Sequence, residues 1–334
     1  QHEHWQENLS LALKLQAQLE ALNAHFQKLI DKEIIFGAQY TISHKGKIIA
    51  NASLGSGSKI EQVPMQPDTV FPVASITKVF TAVAIMQLIE EGHFRLNTCV
   101  AEILPQFAEP PFNGITVWHL LTHTSGLYPD GGCFPEAAPK CSWELIEDAA
   151  KLWDFSSKEE FDWVKAGISS GLRRPVGSEW QYNSFGFVIL GEIITKVSGL
   201  FANDYIVEKI IKPLAMNDSG FKATVDMAKR AFIRNEREKQ ILACIKEYGI
   251  NSIEECAEIC KAKGLDIYKL VEGIQPICFE NAKWAYTVGC AIAIKKNCTK
   301  AADAAAAIGI GLQAFCIPGS VADQRKVGLG HGNL

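Results

Sequence analysis

The feature that most limits how this chain can fold is a change of texture near residue 223. Before it, β-type alternation and apolar helices punctuated by glycine follow one another; after it, short capped helices take over. The cysteines divide in the same way. Cys99, Cys133 and Cys141 serve the earlier part, whereas Cys244, Cys256, Cys260, Cys278, Cys290, Cys298 and Cys316 crowd the later one. Stretches so unlike predict two modules, residues 1–225 and 226–334, with the boundary between Phe221 and Asn235. A chain of 334 residues is long enough for the cores this requires. No internal repeat is visible.

The earlier module reads as α+β. From about Trp5 to Lys32, apolar positions fall at helical spacing (Leu9, Leu13, Leu19, Leu22, Phe26, Ile30) with no Pro or Gly to interrupt them. Two β-rich runs follow, Ile34 to Ile42 and Ile48 to Ala52, joined by His44-Lys45-Gly46-Lys47, whose glycine suits a hairpin turn. Phe71 to Gly92 predicts strand end, turn and helix, with Val79, Val83 and Met86 marking the buried face. Phe187 to Gly199 predicts a second apolar helix stopped by glycine. Between them, Trp143 to Ile168 reads as helical and partly exposed.

Composition narrows the function classes. With 48% hydrophobic residues, 21% charged and a net charge of −4, the chain has the profile of a soluble globular protein and no basic surface for nucleic acid. Its most apolar stretches, Val79 to Ile89 and Ala301 to Phe315, are interrupted before the roughly 20 residues a membrane span needs. Gln1 to Asn8 lack the basic-then-apolar profile of a signal peptide. Cys133 and Cys141 flank a Pro- and Gly-rich loop and are candidates for a small disulfide in an oxidising compartment. The later cysteines read as buried thiols; Cys256 and Cys260 share a helix face but lack the further ligands a metal requires, so neither metal nor cofactor is expected.

Chemistry enters at Ser75-Ile76-Thr77-Lys78. Three residues apart at the start of a helix, a hydroxyl and an amine lie on one face within hydrogen-bond reach. A serine is a poor nucleophile until its proton is removed, and a lysine can take that proton when burial favours its neutral form. Phe71, Val73, Val79 and Phe80 are the apolar neighbours expected to provide that burial. The helix N-terminus would also offer backbone N–H groups to an oxyanion.

Four ordered segments give this pair a context: Phe71 to Lys78, His119 to Leu127, Pro175 to Gly191, and Pro213 to Met216. Together, over about residues 34–222, they resemble the landmarks of the class C β-lactamase and penicillin-binding serine hydrolase family. The resemblance implies an α+β fold of the β-lactamase/transpeptidase type, an antiparallel sheet with a helical domain. It makes Ser75 the residue acylated by an amide or ester, Lys78 its partner, and Tyr182 the phenol that relays a proton to the leaving group. His123 is expected to order the loop around Ser125-Gly126.

Two departures stand out. The family's second motif is Tyr, any residue, Asn, whereas this chain has Tyr182-Asn183-Ser184, so Asn183 and Ser184 become the substrate-binding candidates and a hydroxyl stands where the amide is usual. The third motif, Lys-Thr-Gly or His-any-Gly on an edge strand, has one candidate, Gly330-His331-Gly332, with no alternating β run before it. Without that strand the hydrolase part would be incomplete and its oxyanion hole impaired, as in a fusion or hybrid of two partial proteins.

From about residue 235 the chain resembles the N-terminal region of the uncharacterised GGGtGRT protein family, through Glu247 to Glu255, Gly273 to Tyr286 and Gly311 to Leu334. Its Gly328 to Gly332 loop beside Arg325 and Lys326 has the composition of an anion-binding turn. The expected function is serine hydrolysis of a small amide or ester. The alternative is a non-catalytic scaffold or binding module that forms homo-oligomers through the C-terminal helices. Compartment stays open, the hydrolase resemblance pointing outside the cytoplasm and the cysteine-rich part inside it.

Overall fold

The computed structural model describes residues 2–71, 73–129, 162–221 and 224–234, with the single positions 142, 145, 149, 236, 239, 243 and 246; of residues 2–12 and 74 only the backbone is described. The candidate Cys133–Cys141 disulfide, the short capped helices of the later module, the glycine-rich loop at 328–332 and His331 lie outside them. Two compact units emerge, one made of Gln1–Phe71 with Val225–Glu247, the other containing Pro72–Thr224.

In the first unit, α1 (His2–Asp31) packs against a hairpin of β1 (Gly37–His44) and β2 (Lys47–Gly55). Lys45 and Gly46 both adopt positive φ, 48° and 76°, the type I′ geometry whose twist matches that of two antiparallel strands. Ile42 pairs with Ala50 and Ser43 with Ile48, so Ile49 is an extra residue that bulges β2. Phe26 of α1 stacks on Tyr40 of β1 at 5.7 Å, and the Tyr40 hydroxyl donates to Asn23 Oδ1 at 2.7 Å. Later chain returns to this unit: Val70 bridges Ala231, Ser58 bridges Ile233, and Phe71 stacks on Phe232 at 5.1 Å, just after the short helix Val225–Arg230.

The second unit is built around apolar helices. In it, α2 (Thr77–Glu90) follows a 3-10 turn at Ala74–Ile76, and α3 (Val117–Leu121) and α4 (Trp163–Gly167) are single-turn helices. Then α5 (Ser184–Ser198) runs through the centre, and α6 (Ala202–Ile206) continues into a wider turn, Val207–Ile211. Phe185, Ile189, Leu190, Ile193 and Ile194 of α5 are fully buried against Ala84, Ile85 and Leu88 of α2, Leu120 of α3 and Tyr205 of α6. Each large side chain so buried contributes roughly 1.5–3 kcal/mol. Gly199, at φ 73°, ends α5 in the left-handed conformation its sequence predicts.

The face of α2 differs from expectation. Val79, Val83 and Met86 are 61, 41 and 41% exposed, and the buried set is Ala84, Ile85 and Leu88. The physical reason lies in the sequence TKVFTAVAIMQLIE, which is apolar on nearly every side, so its periodicity selects no face. Ile76 and Val79 extend the exposed side toward the helix start. No single helix among the described residues is long and apolar enough to cross a membrane.

Candidate active site

Three segments of the second unit meet at Ser75. The 3-10 turn before α2 presents its hydroxyl, with the Ile76 N–H donating to the Val73 carbonyl at 3.0 Å. Lys78, on the first turn of α2, returns to the same side as i, i+3 geometry requires, and its Nζ donates to Ser75 Oγ at 3.0 Å. Opposite, at the start of α5, the Tyr182 hydroxyl donates to the same oxygen at 2.6 Å. The Lys78 amine also reaches Ser184 Oγ at 3.3 Å. Ser75, Lys78, Tyr182 and Ser184, each singled out by sequence, are therefore brought together.

The surroundings of the amine are not those expected. Val73 and Val79 are exposed, and Phe71 stacks within the other unit. Aromatic faces cover the nitrogen instead, the Tyr182 ring at 4.7 Å and the Phe187 ring at 5.7 Å, where the negative π-faces favour a cation. Burial pushes the Tyr182 phenol up, but hydrogen bonding with Lys78 and Ser75, the charge of Lys78 and hydrogen bonding with Ser184 outweigh it and hold the group below its ordinary value of 10.0.

A second network fixes the Tyr182 turn from behind. Asn183 is buried, and its side chain is the N-cap of α5, accepting from the Gly186 N–H at 2.6 Å. Its Nδ2 donates to the Tyr128 carbonyl at 2.6 Å and the Leu127 carbonyl at 3.3 Å, so both ends of the amide are engaged with backbone. His123 Nδ1 accepts the Asn183 backbone N–H at 3.1 Å, and the His123 carbonyl accepts from the Gln181 N–H at 2.8 Å. The His123 ring lies 4.7 Å from Tyr182, 5.1 Å from Phe187 and 6.0 Å from Trp180.

Gly126 completes the loop. At φ 78° its carbonyl accepts from the Arg173 N–H at 2.8 Å, and a Cβ there would sit 2.2 Å from the Arg174 carbonyl oxygen, so the two segments approach only because it is glycine. The sequence points to His123 as ordering its loop; its bond to the Tyr182 turn, the cover supplied by Phe187 and the capping role of Asn183 emerge in the structure. An Asn immediately ahead of an apolar helical run is an N-cap signal and could have revealed the last of these. Among the described residues no three His, Cys, Asp or Glu side chains gather as a metal site.

Comparison with known proteins gives the family and the fold. Residues 22–240 match the β-lactamase family profile, and the chain belongs to that family. Residues 233–334 match the GGGtGRT protein family. The chain is 31% identical over 215 residues to esterase EstB of Burkholderia gladioli, covering 63% of this chain and 52% of that protein. It is also 31% identical over 184 residues to penicillin-binding protein 4* of Bacillus subtilis (strain 168), covering 55% of this chain and 38% of that protein. The chain thus spans about half or less of the length of these relatives. A class C β-lactamase solved in complex with cefoxitin shares the fold at TM-score 0.52 and 22% identity, over 65% of this chain and 55% of that one.

Proposed function

We propose that this protein is a serine hydrolase that cleaves an amide or ester through an acyl-enzyme on Ser75. The observation that carries the reading is the shared oxygen: Ser75 Oγ accepts from Lys78 Nζ at 3.0 Å and from the Tyr182 hydroxyl at 2.6 Å. Groups already within hydrogen-bond reach of a nucleophile are those that can take and return its proton.

The groups that lower the Tyr182 phenol, Lys78 above all, also ease the loss of its proton, and once deprotonated Tyr182 accepts from Ser75 Oγ along the contact through which it now donates, as the base of the reaction. As Ser75 Oγ bonds to the carbonyl carbon, its proton passes to the phenolate; the phenol then protonates the departing nitrogen or oxygen as the acyl bond breaks. Water adds to the acyl carbon as its proton passes to the phenolate; Tyr182 then gives that proton to the departing Ser75 oxygen, which restores both the serine hydroxyl and the phenolate and releases the carboxylic acid. Ser184, beside the amine, keeps Lys78 in register, and its position next to Lys78 also suits contact with the substrate. Asn183, engaged on both sides, serves the scaffold. We read residues 1–225 as the hydrolase region and 226–334 as a second module whose early residues, Ala231 to Ile233, pair back onto the hydrolase region.

The test is covalent capture. Folded protein treated with a fluorophosphonate or a fluorescent penicillin should carry one label, on the peptide containing Ser75, and Ser75→Ala should carry none. A nitrophenyl ester and nitrocefin then separate ester from lactam turnover. Folded wild-type protein that neither labels nor turns over either substrate would overturn the proposal.

A further inference from the structure

We infer that His123 is a positioning residue for Tyr182: a neutral imidazole, protonated on Nε2, whose Nδ1 holds the Asn183 N–H while its ring backs the phenol. This rests on the reading of Tyr182 as the proton-relaying group.

The geometry leaves little choice of tautomer. A backbone N–H is always a donor, so the ring nitrogen facing it at 3.1 Å must be an acceptor, which places the proton on Nε2. The Asn183 N–H immediately follows Tyr182 in the chain, and the Gln181 N–H immediately before it donates to the His123 carbonyl at 2.8 Å. Both peptide neighbours of Tyr182 are thereby tied to one residue. The imidazole also packs on the Tyr182 ring at 4.7 Å and on Phe187 at 5.1 Å, the two rings that lie beneath the Lys78 amine.

His123 makes these contacts from a left-handed backbone, φ 58°, which a non-glycine residue adopts at a cost. Side chains that merely fill space do not require that conformation. Here it turns carbonyl and ring toward the same turn, and a shift of about 1 Å in a reacting group can cost roughly 10²-fold in rate.

Two variants separate positioning from packing. His123→Phe keeps an aromatic ring but removes the acceptor; His123→Asn tolerates the left-handed backbone and retains an oxygen acceptor. For His123→Phe, kcat should fall on the order of 10²-fold with KM nearly unchanged. The phenolate absorbance of Tyr182, followed by difference against Tyr182→Phe, should titrate at higher pH because its bonds to Ser75 and Lys78 loosen. His123→Asn should return part of both. Nitrogen NMR of the wild-type imidazole should show protonated Nε2 and bare Nδ1 near neutral pH. A protonated Nδ1, or a folded His123→Phe protein with unaltered phenol titration, overturns the inference. Because tautomer and titration need no substrate, they judge His123 even if the protein fails every hydrolase assay.

Discussion

Helices α2 and α5 enter the site from opposite sides with similar composition and very different support. Each brings a functional side chain on its first turn, Lys78 on one and Ser184 on the other. The N-terminal end of α5 is capped by Asn183, tied to His123 and to the carbonyls of Leu127 and Tyr128, and its inner face (Phe185, Ile189, Leu190, Ile193, Ile194) is fully buried. At α2 the N-cap position is Ile76, which offers no side-chain hydrogen bond, and one side of the helix is exposed. The contrast teaches that the Tyr182 turn is held by a cap and by loop carbonyls, whereas the turn that carries Ser75 has no side-chain cap and meets Tyr182 through the hydrogen bonds of Ser75 itself, with the packing of α2 behind it.

The sharpest way to break that comparison is Lys78→Ala, which deletes the donor to both Ser75 and Ser184. A loss on the order of 10³-fold in kcat/KM is expected, about 4 kcal/mol of barrier, read with whichever ester or lactam is turned over. The same variant should titrate Tyr182 at higher pH, since the charge and hydrogen bond that lower the phenol are gone. Next in size, Phe185→Ala should cost about 3–5 kcal/mol in denaturant unfolding, because Phe185 is fully buried in the core and its removal leaves a cavity there. Its counterpart on α2, Val79→Thr, should stay within about 0.5 kcal/mol. Equal losses at the two positions would erase the asymmetry.

Asn183→Ala removes the cap and leaves loop carbonyls without their donor, for an expected loss of roughly 1–3 kcal/mol. The smallest effect concerns His119, whose Nδ1 accepts the Thr116 N–H at 3.0 Å and whose imidazole burial pushes below its ordinary 6.5. The folded state binds this proton more weakly than the unfolded chain. Stability from this group is therefore whole above the unfolded value of 6.5 and is lost as pH falls through the lower folded value. Thermal midpoints of wild type and His119→Asn, compared on both sides of that window, should converge toward the acid side.

Features written into short, strongly typed segments were legible in the sequence. The Lys45-Gly46 turn, the glycine stop after α5 and the i, i+3 pairing of Ser75 with Lys78 follow from local rules, and each is present in the structure. What sequence did not disclose depends on contacts between distant segments. The buried face of α2 is decided by α5 lying against Ala84, Ile85 and Leu88, and a helix apolar on nearly every side carries no mark of that choice. Tyr182 was reached through resemblance, but the bond from the Asn183 N–H to His123 joins residues sixty positions apart. Asn183, a substrate-binding candidate from its place beside Tyr182, has its amide turned back to the Tyr128 carbonyl and the Gly186 N–H, contacts that only the folded loop supplies.

Gly126 gives this architecture an unusual kind of vulnerability. It touches no reacting atom and contributes no functional group, yet every one of the other nineteen residue types would drive a carbon into the Arg174 carbonyl. On the proposed role of Ser75, a saturation library scored for turnover should leave the Ser75 and Gly126 columns both blank, for opposite reasons: one position is needed for what it carries, the other for what it lacks.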